Sequence, residues 1–171
     1  MNIVYQRSDL TGTVDKTICP VKLVVFKGEL YFLCTTPQWD YYIKLSRILT
    51  AAITDETFTL PADRRRRIEE RLSASFGIFD EVEPDIKKIV VKFPARPYYK
   101  LIFTERRFHD SQKITLDKNG NVMLTMRVPV GLDLINWVLS WPEAIVVEPP
   151  ELMEKLLEIG MELIGKYEKN A

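Results

Sequence analysis

The feature that most constrains the fold is a change of sequence pattern near the middle of the chain. Residues 1–60 form short segments rich in β-branched and aromatic residues, separated by turn signals such as Gly28. Residues 87–171 alternate strand-like and helical segments, and residues 61–86 hold one helical segment followed by an acidic stretch. Because a domain can be as small as about 50 residues, this change predicts two small domains joined by a helix and a linker, with these boundaries.

The first half has the pattern of an all-β domain. The stretch "TICPVKLVVFKGELYFLCTT" reads as two strands joined at Lys27-Gly28-Glu29, with further short strands at "NIVYQ" before it and in "YYIKLSRILTAAITDETFTL" after it. Their β-branched and aromatic residues favour strands. Because closing a sheet removes its exposed edges, residues 1–60 are predicted to form a small β-barrel.

The connecting segment predicts a short helix and then a linker. Pro61 and Asp63 provide a helix start, and Gly77 can adopt the left-handed conformation that ends a helix. One apolar stripe of this helix consists of Ile68, Leu72 and Phe76. The run "FDEVEPD" follows, and its carboxylates are interpreted as a solvated linker rather than as a catalytic pair.

The second half predicts a sheet with helices. A strand at "KKIVVKF" is followed by a helix beginning at Pro97, a hairpin, a helix at "GLDLINWVLS", a strand at "EAIVVEP" and a final helix from Pro150. In the hairpin, Asn119-Gly120 predicts a type I′ turn, in which both central residues have positive φ. The apolar face of the final helix consists of Leu152, Leu156, Ile159, Leu163 and Tyr167. The order β-α-β-β-α-β plus a C-terminal helix predicts a ferredoxin-like domain.

Composition limits the classes of function. The 24 basic and 24 acidic residues balance, so contact with nucleic acid would need a local basic patch. No apolar run approaches the roughly 18 residues that cross a bilayer, and the N-terminus lacks the apolar region of a signal peptide. We therefore expect a cytoplasmic protein without a membrane partner, in which Cys19 and Cys34 are reduced thiols.

The sequence offers no clear catalytic or metal-binding constellation. His109 is the single histidine, and Ser111 beside it has no evident third partner for nucleophilic catalysis. Without cysteines or carboxylates at ligand spacing, neither a metal nor a cofactor is expected. We interpret His109 and Gln112 as structural residues of a turn. A hydrolase or nuclease is the least supported function, and no enzyme activity is expected.

Several motifs of the first half resemble those of the WYL domain. The Trp-Tyr-Leu triplet that names this family corresponds to Leu30-Tyr31-Phe32. The Tyr that ends the family's first strand and the Pro that opens its second correspond to Tyr5 and Pro20. The family's Arg-x-Phe-x-Leu-Asp-Arg-Ile-like segment lines up with "YYIKLSRI". Three positions of this segment depart from the family pattern, namely Tyr41, Ile43 and Ser46.

The second half resembles the WYL C-terminal extension (WCX). "SFGIF" precedes the linker, "FHDSQ" corresponds to a Trp-His-Pro-Ser-Gln-like motif, and "VVEPPEL" enters the last helix. The motifs follow the family's order over essentially the whole chain. The chain is therefore similar to a WYL domain protein with this extension, as in bacterial helix-turn-helix transcription regulators.

This resemblance implies a fold and a function. It implies an Sm-like, SH3-type small barrel over residues 1–60, in the ligand-sensing and dimerisation region of a bacterial transcription regulator. The implied ligand is a nucleotide or single-stranded nucleic acid, and the implied assembly is a homodimer. Duplex DNA would be bound only through a helix-turn-helix domain outside this chain. A stand-alone Sm-like module that binds RNA or protein is the alternative.

Basic and aromatic residues of the predicted barrel form the candidate ligand site. The guanidinium of Arg47 offers a planar fork of donors for phosphate, while aromatic rings stack on bases. The candidate ligand-binding residues are Tyr5, Tyr31, Tyr41, Lys44 and Arg47. The alternative is that Arg47 is a surface residue paired with a local acid such as Asp55 or Glu56.

The run Arg64 to Arg67 is interpreted as part of a solvated helix rather than as a nucleic-acid-binding patch. Four consecutive helical residues point in different directions, and Asp63 lies four positions before Arg67, where an ion pair can form. Ligand contacts at the joint between the two domains are considered for Arg67, Arg71, His109 and Gln112.

Overall fold

The computed structural model describes residues 1–9, 11–78 and 85–169. The chain divides into two compact units, Met1–Arg67 and Ile68–Ala171, called here unit 1 and unit 2. The fold is mixed, with antiparallel sheets and, within the described residues, four α-helices. None of these helices is both long and apolar enough to pass through a membrane.

The linker predicted between the domains lies mostly outside the described residues. Asp80, Glu81 and Glu83 belong to that stretch, so the prediction of a solvated acidic linker is not addressed by the structure. The domain boundaries predicted from the sequence, at residues 60 and 86, likewise stay predictions.

The described residues of unit 1 form six strands in two antiparallel sheets, in the orders β2-β1-β6 and β3-β4-β5. The strands are β1 (Asn2–Gln6), β2 (Thr13–Thr17), β3 (Pro20–Phe26), β4 (Glu29–Thr35), β5 (Asp40–Lys44) and β6 (Ile48–Ala52). A single turn of 3-10 helix, Leu45–Arg47, carries the chain from β5 in one sheet to β6 in the other. The all-β character predicted for the first half is therefore present.

The closed barrel predicted for unit 1 is not confirmed. Each described sheet has two edge strands, and no strand pairing joins one three-stranded sheet to the other among the described residues. The sheets share one core cluster, formed by Ile3, Ile18, Cys34 and Ile43. Burial of apolar side chains between two sheets removes them from water without closing the hydrogen-bond ladder.

The predicted type I′ turn occurs in a different hairpin from the one expected. Lys27 and Gly28, between β3 and β4, have φ of 50° and 79°. Between the strands of the second hairpin, Gly120 has positive φ (78°) but Asn119 does not. There the carboxylate of Asp117 accepts the backbone N–H groups of Asn119 and Asn121, so side-chain bonds fix a wider loop and the type I′ prediction is wrong.

In the part of unit 2 that the structure describes, four strands form an antiparallel sheet in the order β10-β7-β9-β8. Its strands are β7 (Ile86–Phe93), β8 (Lys113–Leu116), β9 (Val122–Pro129) and β10 (Ile145–Glu148). The helices of the chain are α1 (Ala62–Ala74), α2 (Pro97–Glu105), α3 (Leu132–Leu139) and α4 (Pro150–Glu168). The elements after α1 follow in the order strand, helix, strand, strand, helix, strand, helix; the ferredoxin-like assignment stays a prediction.

The core of unit 2 contains a cluster of aromatic rings among aliphatic side chains. Phe93 and Phe103 are fully buried, with ring centroids 4.5 Å apart, and Trp137 of α3 and Trp141, two residues after α3 ends, pack against them. The apolar face predicted for α4 is covered only over its first half. Leu152 is buried, whereas Leu163 and Tyr167 are 44% and 76% exposed.

Candidate functional site

Arg47 lies where the chain leaves sheet β3-β4-β5. It is the last residue of the 3-10 helix and is half-buried. Within the described residues its guanidinium forms no hydrogen bond or ion pair, so the predicted alternative pairing with Asp55 or Glu56 is not present. A half-buried guanidinium whose N–H groups are not engaged by the described residues can bind an anionic ligand without first breaking a hydrogen bond to one of them.

Tyr31, Tyr42 and Lys44 share one face of strands β4 and β5. Tyr31 is directly opposite Lys44 in the antiparallel register, and Tyr42 lies two positions before Lys44. The rings of Tyr31 and Tyr42 meet edge to face with centroids 6.4 Å apart. The ammonium of Lys44 is 3.0 Å from a carboxylate oxygen of Glu29, in an ion pair that is partly exposed to solvent. This face therefore combines two aromatic rings with the Lys44 ammonium, whose charge is partly neutralised by Glu29.

Tyr5 and Tyr41 lie in a different environment, against the core cluster of unit 1. Tyr41 is opposite Cys34 in the register, so it points away from the face of Tyr31 and Lys44. Burial, with smaller contributions from neighbouring thiols, raises the pKa of Tyr41 to about 12. The ammonium of Lys16 lies 4.0 Å from the centroid of the Tyr41 ring and occupies its face. Four of the five predicted ligand residues are thus divided between two faces, and Arg47 lies in the 3-10 turn.

A groove of about 450 Å³ lies on sheet β2-β1-β6 and contains none of the five predicted residues. Its lining consists of Asn2, Ile3, Val4, Asp15, Lys16, Thr17, Thr50, Ala51 and Ala52. By the register, Asp15 pairs with Val4 and shares its face, next to Thr50 on β6. The hydroxyl of Thr17 donates to the side-chain oxygen of Asn2 over 2.8 Å. Sequence analysis missed this groove because short strands with small polar residues carry no ligand signal.

Arg64 has a structural role that sequence analysis missed. Its guanidinium lies 2.9 Å from the carboxylate of Asp40 and also donates to the carbonyl oxygen of Pro37. The interpretation of the four arginines as simply solvated is therefore incomplete. Arg67 does pair with Asp63 one turn earlier, 3.1 Å apart, as the spacing predicts.

His109 and Gln112 hold the turn that follows α2. The side-chain oxygen of Gln112 accepts the Phe108 N–H, and its amide nitrogen donates to the carbonyl oxygens of Phe103 and Arg106, all within 3.0 Å. One ring nitrogen of His109 contacts the Ser111 hydroxyl, and the other lies 2.9 Å from the Ser73 carbonyl oxygen. These bonds account for the "FHDSQ" motif. Whether Arg67, Arg71, His109 or Gln112 contacts a ligand stays a prediction.

Gly77 in the "SFGIF" motif lies directly against Asp133. A Cβ atom at Gly77 would be 2.0 Å from a carboxylate oxygen of Asp133, closer than real atoms approach. Asp133 is buried and accepts the backbone N–H of Ile78 over 3.1 Å. The motif thus marks a close approach of backbone to a buried carboxylate, which the sequence pattern alone cannot reveal.

A family model and a solved structure relate this chain to known proteins. Residues 87–164 match the family model of the WCX domain, which confirms the resemblance found for the second half. No curated protein matches the sequence significantly.

The two solved structures are distant relatives in sequence. One, described as "Crystal structure of a CRISPR Cas-related protein", superposes with a TM-score of 0.52 at 13% identity, over 99% of this chain and 48% of that chain. The other is proteasome accessory factor B/C (PafBC) of Arthrobacter aurescens, with a TM-score of 0.33, 17% identity, 91% of this chain and 23% of that chain. The chain therefore spans less than half the length of either, and the first likeness shows a shared fold.

Proposed function

We propose that this chain, whose residues 87–164 form a WCX domain, is the ligand-sensing and dimerisation region of a bacterial transcription regulator. The proposed role is regulatory and non-enzymatic. The WCX match supports it, because the sequence resemblance links this extension to WYL-type regulators. The proposed ligand is a nucleotide or single-stranded nucleic acid.

The observation that carries the ligand part of the proposal is that the Arg47 guanidinium has no partner among the described residues and follows Lys44 by three positions, while Lys44 shares a face with Tyr31 and Tyr42. A phosphate takes up the planar donors of an arginine in two parallel hydrogen bonds. Tyrosine rings provide sequence-tolerant stacking surfaces for bases. Cation and rings on neighbouring positions of one sheet thus match the two parts of a nucleotide.

The ion pair between Lys44 and Glu29 gives the site a second, exchangeable cation. Because the pair is partly exposed, water screens it and its net contribution to stability is small, of the order of 1 kcal/mol. A ligand phosphate would compete with the Glu29 carboxylate for the Lys44 ammonium at little cost. Ligand binding would then release Glu29, and this exchange supplies a contact that differs between the free and the bound protein, as a sensing function requires.

Replacing Arg47 by alanine tests this site. Fluorescence anisotropy with labelled short single-stranded DNA is compared for the unaltered chain, Arg47→Ala and the control Arg65→Ala, which removes an exposed arginine of α1. A charged hydrogen bond contributes about 1.5–3 kcal/mol, so Arg47→Ala should weaken binding roughly 10- to 150-fold. The dependence of log K on log salt should also become shallower by about 0.7.

Equal binding by Arg47→Ala and the unaltered protein would contradict this site, provided that Arg65→Ala also binds equally. A matched RNA oligonucleotide distinguishes the stand-alone alternative, because preference for RNA with undiminished binding by Arg47→Ala would favour an RNA-binding module that uses another surface. Hydrolysis of either oligonucleotide by the purified protein would contradict the non-enzymatic role.

A further inference from the structure

The groove on sheet β2-β1-β6 crosses the three strands between two rows of side chains. Successive residues of a strand point to opposite faces of a sheet, so residues 2 and 4 of β1 share one face. Ile3 points to the other face, where it is buried in the core of unit 1. The antiparallel register adds one residue of β2 and one of β6 to each row. The two walls of the groove are Thr17, Asn2 and Ala52 on one side, and Asp15, Val4 and Thr50 on the other.

The floor of the groove is the backbone of the row between these walls, formed by Ile3, Lys16 and Ala51. Because the walls are two residues apart along each strand, their Cα atoms are about 7 Å apart, and three strands give the groove a length of about 10 Å. Its volume of about 450 Å³ lies within the roughly 300–1,000 Å³ of small-molecule sites. A ligand that fits this groove is therefore slim, such as a short alkyl chain with one polar head.

The charge of the groove is negative. Asp15 and Lys16 are the charged residues of its lining. The ammonium of Lys16 lies 4.0 Å from the centroid of the Tyr41 ring, on the face of the sheet that is turned to the core, so it does not enter the groove. The carboxylate of Asp15 is exposed and has no hydrogen bond or ion pair within the described residues. An unneutralised carboxylate in the wall favours a cationic ligand.

Polarity changes along the groove from β2 to β6. At the β2 end, the Asp15 carboxylate and the Thr17 hydroxyl lie in opposite walls, and both can accept hydrogen bonds from a ligand. The Thr17 hydroxyl is held in place because it donates to the side-chain oxygen of Asn2 over 2.8 Å. Towards the β6 end, Val4 and Ala52 offer apolar surface. Acceptors at one end and carbon at the other match an N–H donor carried on an alkyl chain.

We infer that this groove binds a small organic cation, namely an amine or guanidinium group on a short alkyl chain. The charged head lies between Asp15 and Thr17, and the chain lies over Val4. The N–H groups of the head donate charge-assisted hydrogen bonds to the Asp15 carboxylate, and a guanidinium can form two of them in parallel. This ligand has the opposite charge to the one proposed for Arg47, so the inference goes beyond the proposed function and either site can fail without the other.

Titration of the ¹⁵N-labelled full chain with butylguanidinium chloride, followed by NMR spectra of the backbone N–H groups, tests this inference. The signals of Ile3, Lys16 and Ala51 in the floor should shift in a saturable manner. A dissociation constant of the order of 1–20 mM is expected for a ligand with about eight non-hydrogen atoms. Asp15→Asn should weaken binding at least roughly 10-fold, because it removes the charged acceptor. The spectrum of this variant also shows whether the fold is retained.

Glu56→Gln is the matched control, because Glu56 is an exposed carboxylate of unit 1 outside the groove, and this variant should bind as the unaltered chain does. Sodium butyrate, which carries the opposite charge on a chain of similar length, and sodium chloride should not shift the three floor signals. Absence of saturable shifts up to about 50 mM butylguanidinium, or equal shifts with sodium chloride, would overturn the site. Equal affinity in Asp15→Asn, or equal weakening in Glu56→Gln, would overturn the role of Asp15 and with it the inference.

Discussion

Gly77→Ala should be the single methyl addition that destabilises unit 2 most clearly. The new Cβ atom would lie 2.0 Å from a carboxylate oxygen of Asp133, 2.4 Å from its carboxyl carbon and 2.6 Å from its Cβ atom. Asp133 is only 2% exposed and sits in the first turn of α3. Its side chain therefore cannot swing into solvent to relieve the contact, and the backbone around position 77 or the start of α3 has to move.

The magnitude follows from two losses and one gain. Overpacking in a filled site costs about 1–3 kcal/mol. Displacing the Asp133 carboxylate from the Ile78 N–H removes a hydrogen bond to a charged acceptor, which contributes about 1.5–3 kcal/mol. Replacing glycine stiffens the unfolded chain and returns about 0.4–1 kcal/mol. We expect a net loss of about 3 kcal/mol, or a fall in Tm of roughly 10–20 °C for a unit of this size.

Urea and thermal unfolding followed by circular dichroism measure this loss. Gly165→Ala in α4 is the control, because a Cβ atom there meets nothing within 4 Å and alanine has the higher helix propensity. That control should be neutral or slightly stabilising. A double variant with Asp133→Ala should recover much of the steric part, since the carboxylate that clashes is gone. If Gly77→Ala unfolds within 1 kcal/mol of the unaltered protein, as the control does, the reasoning about this contact is wrong.

Two further predictions concern unit 2. Gln112→Ala removes the partner of the Phe108 N–H and of two carbonyl groups, so it should lower the free energy of unfolding, measured in urea, by about 2 kcal/mol. The control Gln38→Ala, at an exposed position, should leave this free energy unchanged. Equal free energies of unfolding for the two variants would contradict the capping role of Gln112. The hydrogen bond from Lys87, followed by that from a second lysine, holds the pKa of Glu151 below its usual 4.5. A lowered pKa stabilises the fold above pH 4.5, so Glu151→Gln should be less stable than the unaltered protein at pH 7, and melting curves of the two should converge as the pH falls through the folded-state pKa.

The sequence predicted the elements well where the signal is local. Pro97 and Pro150 begin helices in the structure, as expected for a residue with no N–H to leave unpaired. The turn at Asn119-Gly120 was mispredicted because the side chain of Asp117, two residues earlier, offers the backbone competing hydrogen bonds. Local propensity therefore located the hairpin but did not determine its geometry.

The candidate site was harder to predict because it depends on register. Tyr41 and Tyr42 are neighbours in sequence, yet strand alternation sends one to the core and the other to the face of Tyr31 and Lys44. Composition suggested a basic and aromatic pocket but could not show which tyrosine joins the cation. The contact between Arg64 and Asp40 spans 24 positions and is equally invisible to a local pattern.

If a phosphate binds at the proposed site, the existing ion pairs near sheet β3-β4-β5 should decide which cations it contacts. In the ion pair of Arg64 and Asp40 the side chains are 19% and 13% exposed, and removing one partner would leave a charge largely withdrawn from water. In the pair of Lys44 and Glu29 they are 26% and 46% exposed, so water can replace either partner cheaply. An incoming phosphate should therefore recruit Arg47 first and Lys44 second, and leave Arg64 in place. Arg64 therefore contributes to the structure of unit 1, and the proposed affinity for anions would depend on Lys44 and Arg47, which precede and end the 3-10 turn between β5 and β6.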